Sequence, residues 1–320
     1  MVAGKETAPS NFQRFLHHTT PVVPTHLLPK NEKGKLNKLW YPIEREEVEF
    51  FNLSDLWKSF DEWSAYGVGV PIKMDITGES FVQYYVPHLS AIQIFTNNKN
   101  REEEGRDDEI DRWVKGDSLI SSDSMSDLSD NYSENVSRSE CCSSEEVIDH
   151  HHHHHHQHQQ QQDEIENDIL GSLYLQFFEI DSPSIRIPLM DKILDLSENY
   201  PELMNLRSVD LSPASWIAIS WYPLYHIPRG IRPIKDLSTN FLTYHTLSSS
   251  FEEEKEEVKE TITGEIRLDA FGVASYKMNG EVWVSGRMDR ERLFSYWSVA
   301  DSWLKQLKVH HHDYNYYLGN

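Results

Sequence analysis

Hydrophobic positions change period several times along the chain, and each change marks a new element. In Ser10-Asn11-Phe12-Gln13-Arg14-Phe15-Leu16, Phe12, Phe15 and Leu16 share one face of a short helix that Ser10 can cap. Pro21, Pro24 and Pro29 then forbid regular structure, so the chain is expected to wrap the fold in extended form, anchored by Trp40-Tyr41-Pro42-Ile43. Leu56, Trp57, Phe60 and Trp63 return at three- and four-residue spacing, which predicts a helix opening at Ser54 and closing at Gly67. Phe81 to Val86 and Ala91 to Thr96 are β-branched and aromatic, and read as two strands separated by Pro87-His88-Leu89-Ser90.

The pattern then lapses. From Asn97 to about Asp168 the chain is acidic and Ser-rich, and it runs into His150 to His156, Gln157, His158 and Gln159 to Gln162. Such a composition buries too little apolar surface to offset chain entropy, so residues 97–169 are expected to be a disordered insertion. Order is expected to resume with a strand at Leu173-Tyr174-Leu175-Gln176-Phe177-Phe178-Glu179, its Leu173, Leu175 and Phe177 on one face. A helix follows from Pro188 through Met190, Ile193 and Leu194, interrupted by Pro201.

Ser215 to Gly230 is the densest apolar and aromatic run and carries no acidic residue. It reads as a buried strand that leaves the core at Pro223 for a proline-stiffened loop. Phe241 to Leu247 reads as another strand. Ile266 to Lys277 and Glu281 to Arg287 flank Asn279-Gly280, the strongest hairpin signal in the chain. Asp289 is placed to cap a final helix whose Leu293, Trp297, Ala300, Leu304 and Leu307 form one seam. Residues 310–320 read as a loose tail, and residues 1–9 as a disordered N-terminus.

Strands outnumber helices, which points to an α+β fold: a mostly antiparallel sheet with helices packed on one face, interrupted by the long insertion. Residues 10–96 and 170–309 would form a single domain, since loop closure costs little more for a long insertion than for a short one. Two separate domains either side of the insertion is the competing organisation.

Charge sharpens the picture. The formal net charge is -22 over 320 residues. Between Asn97 and Leu170, twenty Asp/Glu stand against six Lys/Arg. Such a surface disfavours nonspecific contact with nucleic acid or anionic membrane. The only cysteines, Cys141 and Cys142, are adjacent and cannot build a disulfide framework, which fits a reducing compartment. The N-terminal residues lack the apolar stretch of a secretory signal, and no apolar run approaches a membrane span. A cytoplasmic or nuclear location is expected.

The stretches Ser10 to Leu16, Leu173 to Glu179, Pro213 to Pro228, Phe241 to Leu247 and Phe271 to Met278 resemble a plant family catalogued as domain of unknown function 789. The resemblance implies a plant intracellular protein. It implies no activity, cofactor or catalytic residue.

Motifs of known chemistry are scarce. Gly67-Val68-Gly69 lacks the remaining glycine and lysine of a phosphate loop, and neither a paired-His zinc helix nor a Gly-flanked serine elbow occurs. Neither a cofactor nor a metal is expected. The best candidate is an anion or ligand site on His226-Ile227-Pro228-Arg229-Gly230-Ile231-Arg232-Pro233-Ile234-Lys235, where Arg229, Arg232 and Lys235 recur every third residue of an extended loop. Tyr222 and Tyr225 would flank it, and His226 is the one candidate general base. The opposing reading pairs these cations with the protein's own carboxylates and leaves Trp216, Trp221, Tyr222 and Tyr225 as core.

The histidine run and His310-His311-His312-Asp313 are metal-philic in composition alone. Ser124, Ser137 and Ser143 each have an acidic residue three positions on, as acidophilic kinases favour. The reading favoured by sequence is a non-catalytic interaction module with an acidic, phosphorylatable arm and a protein partner. The alternative is an enzyme or small-ligand binder acting on an anionic substrate at the His226 to Lys235 loop.

Overall fold

The structure is a computed structural model. It describes residues 8–42, 46–74, 80–97, 170–224, 238–251, 264–278, 280–284 and 286–318. The expected N-terminal disorder falls mostly outside these residues, as does the insertion.

Helix α1, Asn11–Thr19, opens with a capping box: Gln13 N–H donates to Ser10 Oγ, and Ser10 N–H donates to the Gln13 side chain. The proline-rich stretch is extended as anticipated but not irregular: it forms short paired strands β1, Val22–Pro24, and β2, His26–Leu27, before a single helical turn, α2, Lys30–Lys33. Strand β3, Glu49–Phe50, pairs with β2. The expected helix at 54–67 is two, α3, Leu53–Ser59, and α4, Asp61–Tyr66. Gly67 ends the second at φ 77°, a conformation that glycine adopts without steric cost.

Strand β4, Val68–Lys73, leads to β5, Ser80–Thr96, which is one long strand and not two. Pro87 does not break it. Tyr84 C=O accepts from Leu224 N–H on one side of β5, so Pro87, three residues on, turns its missing N–H to the other. There β4 pairs only up to Tyr85, while β6, Ser172–Phe178, pairs only from Ala91. The proline falls in the gap. Ser90 is an extra residue on β5: Leu89 opposes Ile219 and Ala91 opposes Ala218.

Helix α5, Leu189–Asn199, follows Pro188 and stops before Pro201. Strands β7, Trp216–Pro223, and β8, Asn240–Thr246, are the expected central strands. Strand β9, Glu265–Arg267, pairs with β1, and β10, Gly272–Tyr276, pairs with β8. The main sheet runs β10-β8-β7-β5-β4, with β6 also on β5, and every pair in it is antiparallel.

The hairpin expected around Asn279-Gly280 does not form. Asn279 lies outside the described residues, but the chain beyond it forms a helical turn, α6, Gly280–Trp283, and then α7, Gly286–Gln306. The alternation in Glu281 to Arg287 mimics a strand. Burial of Trp283 against Phe15, Phe241 and Tyr85 decides otherwise. Helix α7 begins ahead of Asp289, which is a buried first-turn residue and not its cap.

The tail is not loose. Helix α8, His312–Leu318, packs on the sheet and buries Tyr314 and Tyr317. Helices therefore cover both sheet faces and not one. Phe12, Phe15, Trp57, Phe60, Ile219, Trp221 and Phe241 form a large core on one face. Trp216, Ala218, Leu242 and Tyr244 point to the other, against Ala300, Leu304, Tyr314 and Tyr317. Trp216 and Trp221 are wholly buried, as the core reading expects.

Candidate functional site

The bulge in β5, the centre of β7, the loop after β6 and the start of α8 converge on one buried polar cluster. Ser90 comes from the bulge, where the extra residue re-aims its hydroxyl toward α8. Ser220 lies on β7 and Tyr244 on β8, both on the α8 side of the sheet. Arg186 comes from the loop between β6 and α5, and His311 and Asp313 from the start of α8.

The Arg186 guanidinium grips Asp313 end-on. Nη1 donates to Oδ2 at 2.6 Å and Nη2 to Oδ1 at 2.7 Å, with the two side chains 1% and 4% exposed. Asp313 Oδ2 also accepts from Ser90 Oγ at 2.5 Å and from Ser220 Oγ at 3.0 Å. Arg186 Nε donates to the Asp181 carbonyl at 2.8 Å, and Nη1 donates to the Tyr222 hydroxyl at 3.0 Å. The carboxylate is thus ringed by donors.

Burial alone would raise the pKa of Asp313. The hydrogen bonds from Arg186 and Ser90, with the Arg186 charge, outweigh it and hold the carboxyl below its ordinary value. For Arg186 burial opposes the charge, but Asp313 prevails and the pKa rises. The pair is ionised.

His311 completes the arrangement. Its Nε2 lies 2.9 Å from Ser90 Oγ and its Nδ1 2.8 Å from the Tyr244 hydroxyl. Burial lowers its pKa to about 4, so the ring is neutral and carries one N–H. The single Ser90 proton goes to the carboxylate, which can only accept. Ser90 Oγ must then accept from His311 Nε2–H, leaving Nδ1 to accept from Tyr244. Protons therefore run from Tyr244 to His311 to Ser90 to Asp313.

That order decides the chemistry. A nucleophilic serine hands its proton to histidine, and the histidine is oriented by the acid. Here Ser90 donates to the acid and accepts from the histidine, and its hydroxyl is wholly buried. The residue types of a hydrolytic triad are present in a non-catalytic order. The cluster clasps α8 to the sheet.

His88 and Tyr222 form the half-buried rim. Their rings meet edge to face at 5.1 Å, and burial lowers the His88 pKa to about 4. A second relay crosses the opposite core. Trp221 Nε1 donates to Thr243 Oγ1, which lies 2.9 Å from His245 Nε2, while His245 Nδ1 meets the Leu268 carbonyl.

Of the residues singled out in the sequence for anion binding, only Tyr222 is described, and its hydroxyl accepts from Arg186. Tyr225, His226, Arg229, Arg232 and Lys235 lie outside the described residues, as do Ser124, Ser137, Ser143 and His150 to His158. Among the described residues no group of three or more His, Cys, Asp or Glu side chains could hold a metal ion. His311 has both ring nitrogens engaged within the fold. Sequence reasoning missed Ser90, Arg186 and Ser220, and weighed His311 and Asp313 only as part of a metal-philic run in a loose tail. The available signal was the aromatic spacing of Tyr314 and Tyr317 beside Asp313, which a solvated tail would not carry.

These features define an α+β protein built on an antiparallel sheet, with a buried ionic clasp closing one face. The chain belongs to the family described as "Protein of unknown function (DUF789)", whose sequence profile matches residues 10–317. No curated protein and no solved structure matches it. No helix among the described residues is long and apolar enough to cross a membrane.

Proposed function

We propose that the protein is a non-catalytic interaction module of plant cells, cytoplasmic or nuclear, that engages a protein partner and carries residues 97–169 as an acidic arm. Ser124, Ser137 and Ser143 are the arm's phosphorylation sites in this reading, and phosphate there adds charge for a partner's arginines to recognise. The observation that carries the reading is the reversed proton order in the Ser90, His311 and Asp313 cluster. This buried titratable grouping is consumed in holding the fold. The net charge of -22 argues against nucleic acid as the partner.

The test is a thermal-shift screen of the full chain against phosphorylated and carboxylated metabolites. A ligand at a hundred times its Kd stabilises a fold by about 2.7 kcal/mol, which reads as a few degrees. No shift from any compound supports the module. A shift abolished by Arg229→Ala and Arg232→Ala overturns it in favour of an enzyme or small-ligand binder at the His226 to Lys235 loop.

A further inference from the structure

The loop that supplies Arg186 presents an unbroken exposed run, Ile180 to Ile185, with Ile180 74% and Ile185 66% exposed. The loop is nonetheless pinned. Glu179 Oε1 accepts the N–H groups of Ile180 and Asp181, Ile185 N–H donates to Ser182 C=O, and Arg186 Nε donates to Asp181 C=O. Within it sits Ser182-Pro183.

Serine or threonine followed by proline is the minimal substrate of the proline-directed protein kinases. Proline disfavours the helical conformation in the residue before it and has no N–H to satisfy. The chain holds three such dipeptides, Thr20-Pro21, Ser182-Pro183 and Ser212-Pro213. Thr20 is 7% exposed with its hydroxyl donating to Leu16 C=O, and Ser212 is wholly buried. Ser182 is exposed, and among the described residues its hydroxyl meets only that of Ser184, at 3.2 Å.

Arg186 adds a second observation. Four of its five N–H groups are assigned: one Nε–H, both Nη1–H and one Nη2–H. The guanidinium is planar, so the remaining Nη2–H runs parallel to Nε–H. Nε–H points at the Asp181 carbonyl, the peptide unit that leads into Ser182. One donor of a buried arginine is thus turned toward the backbone that carries this hydroxyl.

We propose that Ser182 is a phosphorylation site for a proline-directed kinase, with Arg186 as the resident reader of the phosphate. The donor is ATP. Ser182 Oγ attacks the γ-phosphorus, the new O–P bond replaces the bond to ADP, and the hydroxyl proton passes to the kinase's base. The phosphate meets Asp181 and Glu179 as like charges, and Arg186 and Lys192 as opposite ones, Lys192 already lying 4.0 Å from Glu179. Charge on Ser182 thereby couples to the clasp that holds α8. The site stands on the ordered loop alone and does not depend on the reading of the arm.

The full chain is incubated with a proline-directed kinase and ATP, and the phosphate is mapped by fragment mass spectrometry. A free peptide spanning Glu179 to Pro188 controls for recognition of the sequence. The proposal expects one proline-directed phosphate, on Ser182, lost in Ser182→Ala, with Thr20 and Ser212 unmodified. Phosphate on Thr20 or Ser212 instead, or none on Ser182 of the folded chain, overturns the site. The phosphorus resonance of the modified protein, followed against pH, tests the reader. Its second ionisation is expected below that of the phosphorylated peptide, and an identical titration overturns the role of Arg186.

Discussion

Arg186 and Asp313 lie 127 residues apart and meet through two parallel N–H···O contacts of 2.6 and 2.7 Å, inside the seam between the sheet and the last helix. Burying two charges is costly, and their attraction repays the cost only where the other polar atoms are satisfied. Here Ser90, Ser220, Tyr222 and the Asp181 carbonyl engage them, save one Nη2–H of Arg186. The pair specifies where α8 docks, and with these partners it joins four distant stretches of chain.

Acid should weaken the fold in two stages. His88, His245 and His311 have pKa values lowered by burial to about 4, below the unfolded value of about 6.5. Between those values the unfolded chain binds more protons, so stability falls as pH drops through that window. Asp313 has a depressed pKa, and its contribution is lost only as pH falls below the unfolded carboxyl value of about 3.9. Urea melts of the wild type and of His311→Gln should diverge in slope between pH 6.5 and 4, the variant losing about one proton's dependence. Equal slopes would show that His311 is not buried neutral.

Gly272 faces α7 where the helix crosses β10. A Cβ there would lie 2.8 Å from the Ala300 Cβ and 3.2 Å from the Ala300 Cα and N. The backbone of α7 cannot yield as a flexible side chain would. Gly272→Ala should cost about 1–3 kcal/mol in chemical denaturation, as an overpacked contact. A neutral result would mean that α7 sits off the sheet.

Tyr314 and Tyr317 are 4% and 5% exposed on the last helix. Tyr314→Ala should destabilise by about 3 kcal/mol, the scale of a buried aromatic truncated to alanine. A solvated tail would lose less than about 0.5 kcal/mol. The melting temperature separates the two outcomes.

The contrast between α7 and α8 shows what the sequence made legible. Leu293, Trp297, Ala300 and Leu304 repeat over several turns, and that seam reads as a helix whatever lies around it. Helix α8 has two turns and draws its stability from the clasp, whose members Ser90, Arg186 and Ser220 lie far off in sequence. No local pattern reports such a contact. Strand β5 failed differently: Pro87 reads as a stop until its partners are known, and only the gap between β4 and β6 tolerates it. Asn279-Gly280 was a sound local signal overridden by the burial of Trp283. Of the site, Tyr222 was singled out as a ligand contact and serves as the hydrogen-bond acceptor of Arg186.

The most direct test of the clasp is a double-mutant cycle of Arg186→Met and Asp313→Asn, read by urea denaturation at pH 7. Each single change leaves a buried charge without its partner and should cost about 3–5 kcal/mol, while the double variant should cost less than the sum by at least about 2 kcal/mol. That coupling, with cooperative unfolding retained, is what a structural ion pair requires. Additive losses, or single losses under about 0.5 kcal/mol, would contradict the clasp and leave Asp313 free for chemistry.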